Sequence, residues 1–144
     1  MRETLTLASV VVLTVVLAAC GGDSISEPQM PAEPVDLNLV MADYAYTPSE
    51  VTVAPGAEVT ITVQNDDVAK HDLVMVAGVF SELVDVKNAI KADPDIVVAE
   101  IDEVKGGESD SLVVTLDQPG EYQFFCSLVG HFVAGMKGVL TVDG

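Results

Sequence analysis

The chain contains no tryptophan, two cysteines, two histidines and only six lysines and arginines, set against 23 aspartates and glutamates. The shortage of basic residues leaves a formal net charge of −17. That charge excludes a nucleic-acid partner, whose phosphates it would repel, and it disfavours direct adsorption to anionic lipid. The acidity suits a basic protein partner, a saline habitat or simply a well-hydrated surface. No run of five like charges forms an acidic tail. The chain also lacks a glycine-rich phosphate loop, a G-x-S-x-G element and any internal repeat. Enzymatic work on a small-molecule substrate therefore has no motif to rest on.

The one long apolar run is at the start, "MRETLTLASVVVLTVVLAAC". Arg2 and the amino terminus make a weakly basic opening, which Glu3 weakens further, and the stretch from Leu5 to Ala19 is short for a bilayer-spanning helix. Small residues precede Cys20, and polar Gly21, Gly22 and Asp23 follow. The pattern resembles the lipobox of bacterial lipoprotein signal peptides; the alternatives are an uncleaved membrane anchor or a buried strand. The resemblance implies a signal peptide over residues 1–19, cleavage before Cys20 and lipid on its thiol. The mature protein is then exported and lipid-anchored to the cell membrane, facing the periplasm or the cell exterior. Acylated Cys20 cannot pair, so Cys126 is left as a lone thiol in an oxidising compartment, and metal ligation is one reason for it to stay unpaired. Residues 20–34 hold glycines, serines and three prolines and read as a flexible tether, about 40 Å long at polyproline rise. Residues 35–144 are the size of one compact domain.

Short apolar runs with period two dominate that domain. They predict strands over Val35–Met41, Val51–Val53, Glu58–Asn65, Lys70–Val76, Asp95–Ile101, Ser111–Leu116, Tyr122–Cys126 and Lys137–Val142. Turn signals lie at Pro55–Gly56, "KGGES" and "DQPGEY". The expected class is all-β, a Greek-key β-sandwich or barrel. One segment breaks the pattern: Leu83, Val86, Ala89 and Ile90 fall at helical spacing, with Ser81 as N-cap and Pro94 as stop, so a short inserted helix is expected over Ser81–Ala92. Met41 and Met75 read as core filler, Tyr122, Phe124 and Phe125 as packing around the cysteine strand, and Asp66 and Asp67 as a hydrated turn.

The chemistry concentrates in "CSLVGHFVAGM", where Cys126, His131 and Met136 are spaced C-x4-H-x4-M. The other histidine, His71, opens a predicted strand in "NDDVAKHDLVMV". Two imidazoles, one thiolate and a weak thioether make a trigonal set with a long axial ligand, the donor set of copper electron-transfer sites. Thiolate favours Cu(I) and imidazole accepts Cu(II), so a site of intermediate geometry serves both states with little movement.

"GEYQFFCSLVGHFVAGMKGVLTV" and the upstream "NDDVAKHDLVMV" resemble the matching segments of the cupredoxins, the type 1 blue copper proteins. The loop spacing and inserted helix are most like the branch that holds the auracyanins, azurins and plastocyanin-like proteins. The resemblance covers nearly all of residues 35–144. It implies one copper per chain, held by His71, Cys126, His131 and Met136, and a one-electron carrier rather than an enzyme. Lys70 and Asp72 are expected beside the ligands. Asp72 stands where relatives often have an asparagine that bonds to the cysteine loop; an ionised carboxylate can accept but not donate. It has two expected placements, near the metal, where it lowers the potential, or out to water. Val129 stands where many relatives have proline. The resemblance also implies that the second histidine reaches the surface through an apolar patch, here Leu128, Val129, His131, Phe132 and Val133, where donor and acceptor redox proteins dock, with the acidic surroundings suited to a basic one. Competing functions are copper delivery or storage, which favours exchangeable Met- and His-rich loops, and a metal-free interaction module.

Overall fold

The computed structural model describes residues 32–144. The expected signal peptide, Cys20 and all but the last three residues of the expected tether lie outside the described residues. Ala32, inside the expected tether, already packs against the core. Among the described residues no helix is long and apolar enough to cross a membrane.

Nine strands form two sheets: β1 (Val35–Ala42), β2 (Ala45–Thr47), β3 (Glu50–Val53), β4 (Glu58–Asn65), β5 (His71–Ala77), β6 (Val97–Val104), β7 (Ser109–Thr115), β8 (Gly120–Phe125) and β9 (Lys137–Val142). One sheet has the order β2-β1-β4-β7 and the other β3-β9-β8-β5-β6. The β1–β4 and β3–β9 pairs are parallel and the rest antiparallel. The mixture arises because the chain crosses between sheets instead of running hairpin to hairpin. This is the expected all-β sandwich.

Alternation builds the core. Leu37, Leu39 and Met41 of β1, Val59, Ile61 and Val63 of β4, and Leu140 and Val142 of β9 face inward, while the residues between them are exposed or half-buried. Each fully buried Leu, Ile or Val contributes roughly 1.5–3 kcal/mol. β5 departs from alternation: its first six residues are all buried. Leu73 and Met75 enter the main core. Val74 and Val76 join Phe125, Phe132 and Val86 in a second cluster on the sheet's outer face. The helix α1 (Leu83–Ala92) lays Val86 on that face, with Leu83 and Ile90 beside it.

Several boundaries differ from expectation. Ser81 does not cap α1; Glu82 is the N-cap, without a side-chain bond. The buried Gln123 amide pairs both ways with the Phe80 backbone, at 3.1 and 3.0 Å, which keeps the chain non-helical to that point. The strand expected from Asp95 begins at Val97, because Pro94–Ile96 is a 3₁₀ turn in which the Asp93 carboxylate accepts the Asp95 N–H. β2 was not expected. It pairs with β1 through Asp43 and Tyr44, both in the left-handed region with φ of 50° and 57°. Such two-residue turns ordinarily advertise themselves with Asn-Gly.

Candidate metal centre

Three connections converge at one end of the sandwich: the entry to β5, the loop between β8 and β9, and the β1–β2 turn. His71 is the first residue of β5 and is fully buried. Cys126 follows β8 directly and is also fully buried; it is the one free cysteine among the described residues. His131 opens a four-residue helical turn, α2 (His131–Ala134). Gly130 and Gly135 bracket that turn at φ of 86° and 110°, where a side chain would be strained. The His131 N–H donates to Leu128 O at 3.1 Å and the Met136 N–H to His131 O at 3.0 Å. The Cys126 N–H donates to Met136 O at 3.1 Å and closes the loop on itself. With Val129 in place of proline, these backbone bonds supply the loop's rigidity. Met136 is fully buried in the same cluster as Cys126.

The donor atoms meet. His71 Nδ1 and His131 Nδ1 are 3.1 Å apart, and Cys126 Sγ lies 3.2 Å from His131 Nδ1. One donor atom from each of His71, Cys126 and His131 lies within 4.8 Å of the others. Such separations match donors about 2 Å from one shared ion.

The surroundings set the electrostatics. Burial pushes the Cys126 thiol up to about 12; backbone N–H groups of Asp72 and Leu128 pull against that rise, and the Asp72 charge adds to it. Burial, helped by neighbouring His71, lowers His131 and favours the neutral imidazole a metal requires. Burial raises the Tyr46 phenol well above its ordinary value, with Cys126 and Asp72 adding. It therefore stays a donor, to the Asp72 carbonyl.

Asp72 is turned inward to the cysteine loop and not out to water. It is buried, and its carboxylate accepts from the Ser127 N–H at 2.6 Å and the Ser127 hydroxyl at 2.5 Å. An acceptor-only group thus ties β5 to the cysteine loop by making Ser127 the donor twice. Lys70 is not beside the donors: its ammonium lies 2.6 Å from Glu103 on the surface, because the residue before buried His71 points the opposite way. Phe132, expected in the docking patch, is only 2% exposed. It packs edge-on against Phe125 at 5.5 Å with Lys137 over its ring, because the α2 turn directs it inward. Leu128 is half-buried against the core. Val129 and Val133 are 97% and 80% exposed and flank the half-buried His131.

Two residues here were missed. The Tyr44 ring stands edge-on to His131 at 4.9 Å and to His71 at 6.1 Å, and no local pattern announces it. Asp67, taken for a hydrated turn, places Oδ2 3.2 Å from His71 Nε2. Its only sequence signal is an acid four residues before a histidine.

The fold and donor cluster together define a copper-binding sandwich. A family model for copper binding proteins of the plastocyanin/azurin family matches residues 34–143, and the chain belongs to that family. Auracyanin-A of Chloroflexus aurantiacus is 29% identical over 163 aligned residues, spanning 99% of this chain and 100% of that protein. Copper-resistant cuproprotein CopI of Rubrivivax gelatinosus is 29% identical over 109 residues, 74% of this chain and 65% of CopI. Reduced auracyanin from Roseiflexus castenholzii superposes with a TM-score of 0.67 at 29% identity, covering 76% of this chain and 97% of that one. The family's cofactor is one type 1 copper per chain, and the residues fit it: two converging imidazole nitrogens and a buried thiol, with a buried thioether on the same loop. Proteins of this family carry electrons.

The Asp72 clamp has a measurable cost of removal. Asp72→Ala loses two charge-assisted bonds and should destabilise the copper-free protein by about 2–4 kcal/mol. Asp72→Asn can accept from the Ser127 N–H and donate to its hydroxyl, so it should cost about 1 kcal/mol or less. Urea unfolding of both variants checks this; equal losses contradict the clamp.

Proposed function

We propose that this protein is an exported, lipid-anchored one-electron carrier between redox proteins, using a single copper held by His71, Cys126, His131 and Met136. The observation that carries this reading is the convergence of two histidine Nδ1 atoms and the Cys126 sulfur beneath an apolar surface. When bound, the copper supplies the one-electron couple. The chain's own residues do the remaining work. Cys126, His71 and His131 are held by strand ends and backbone bonds, so little must rearrange when the charge changes. Met136, buried in the same cluster as Cys126, would supply a weak thioether donor to the bound copper. His131, half-buried between Val129 and Val133, offers the route by which an electron leaves or enters. A partner can approach there without desolvating charge, while the strong overall acidity of the chain attracts a basic one. The "LAAC" stretch ending at Cys20 supports anchoring through lipid, at the periplasmic face or cell exterior. No bond-making step belongs to this reading.

A second reading, copper handling, is favoured by the similarity to a copper-resistant cuproprotein. The buried, closed loop favours electron transfer, because a delivery site must release its ion. The absorption spectrum of the copper-loaded protein separates the two: intense blue supports the carrier, and a colourless, readily exchanged Cu(I) complex supports handling. A metal-free interaction module would leave the converging donors without use.

Cys126→Ala should abolish the thiolate-to-copper absorption while the copper-free sandwich stays folded by circular dichroism; full colour in that variant would sink the assignment. Val129→Asp should keep the colour and slow electron exchange with a redox partner about tenfold, because docking then buries a charge. Stopped-flow oxidation at several salt concentrations measures it, and an unchanged rate places docking elsewhere. Fatty-acid labelling of cells should mark the wild type and not Cys20→Ala; an unlabelled wild type refutes the anchor.

A further inference from the structure

His71 uses both ring nitrogens, and its far side is as carefully held as its near side. Nδ1 faces His131 Nδ1 at 3.1 Å, and Nε2 faces Asp67 Oδ2 at 3.2 Å. The segment that carries Asp67 is pinned at several points. Buried Asn65 donates through Nδ2 to Ala69 O at 2.8 Å and Val104 O at 2.9 Å, and its Oδ1 accepts the Asp67 N–H at 2.9 Å. The other Asp67 oxygen, Oδ1, accepts from the N–H groups of Val68 at 2.7 Å and Ala69 at 3.4 Å. On the opposite side the backbone leaves no slack. A Cβ on Gly106 would come within 2.4 Å of the Asp67 carbonyl oxygen. One carboxylate oxygen is therefore committed to the loop, and the other is left for the imidazole.

We infer that Asp67 is a positioning residue that sets the tautomer of His71, holding the proton on Nε2 so that the Nδ1 lone pair is presented to the copper. This rests on the copper reading above and deepens it. The two Nδ1 atoms are too close for both neutral rings to carry a proton there, so at least one of them is bare. An ionised carboxylate can only accept, so Nε2 of His71 is the donor to Asp67 and Nδ1 of His71 is bare. A carboxylate behind a metal-bound imidazole also raises its basicity and fixes its plane, and loss of such a partner ordinarily costs 10–100-fold in metal affinity. The His71 hydrogen bond holds the Asp67 carboxyl below the usual carboxylate range, in keeping with this pairing.

Asp67→Asn tests the inference with little change in shape. The Asn oxygen can keep the bonds to Val68 and Ala69, while its amide nitrogen now offers a donor to Nε2 and reverses the polarity of the pair. In the copper-free protein, 15N NMR at pH 8 should show His71 as the Nε2–H tautomer in the wild type and shifted toward Nδ1–H in the variant. Copper affinity, measured by competition with a chelator, should fall about 10–100-fold. The reduction potential should rise, because the oxidised ion loses more than the reduced one. The unfolding midpoint of the copper-free variant checks that the loop survives; if it does not, Asp67→Glu, which keeps the charge, should restore the Nε2–H tautomer. An unchanged tautomer and an affinity within twofold of wild type would reduce Asp67 to a loop cap and overturn the inference. A wild type that takes up no copper defeats the carrier reading instead and leaves the tautomer result standing.

Discussion

A carboxylate joins the two halves of the metal centre. Asp72 follows His71 on β5, Ser127 follows Cys126 after β8, and the two hydrogen bonds between them tie one donor's strand to the other donor's loop. Tyr46 adds a third bond, to the Asp72 carbonyl, from the short strand β2. The bridge is possible because β5 and β8 are neighbours in one sheet, so residues 55 positions apart in the chain come to lie side by side. It matters because a donor set this compact tolerates little drift: a shift of either strand end moves one donor relative to the rest.

The same end of the sandwich resolves a conflict of charge. The protein is strongly acidic overall, yet the stretch from Cys126 to Met136 carries no charged residue other than a protonatable histidine. Burial pushes the Cys126 thiol up to about 12, so at neutral pH the metal-free site holds a proton that an arriving ion must displace. Backbone N–H groups from Asp72 and Leu128 soften that cost. Asp72 and Asp67, the two acids bonded into the centre, each spend their oxygens on donors rather than on water alone.

Strain is stored beside the site as well. Asp43 and Tyr44 both adopt left-handed backbone, a conformation that costs roughly 1 kcal/mol or more for a residue such as tyrosine. The turn they form sets the Tyr44 ring edge-on to both imidazoles. Contact with two donors of the centre is the visible return on that strained turn.

Periodicity and spacing determined a good deal of this protein. Alternation in β1, β4 and β9 marked which residues face inward, because a half-buried strand has only two faces and hydrophobic burial sorts them. Helical spacing marked α1, though not its first residue, since Ser81 lies just past the point where Gln123 holds the chain. The C-x4-H-x4-M loop displayed its donor chemistry openly, as soft and borderline ligands within eleven residues, with His71 far upstream. Only the tertiary structure decided what depends on long-range approach. It buried Phe132 against Phe125, sent Lys70 to Glu103, drew Asp67 to His71 and set Tyr44 beside both histidines. Those outcomes follow from which strand ends share one end of the sandwich and which way each loop turns. Local pattern carries neither, because hydrophobic spacing specifies the face a side chain takes and not the partner it meets there.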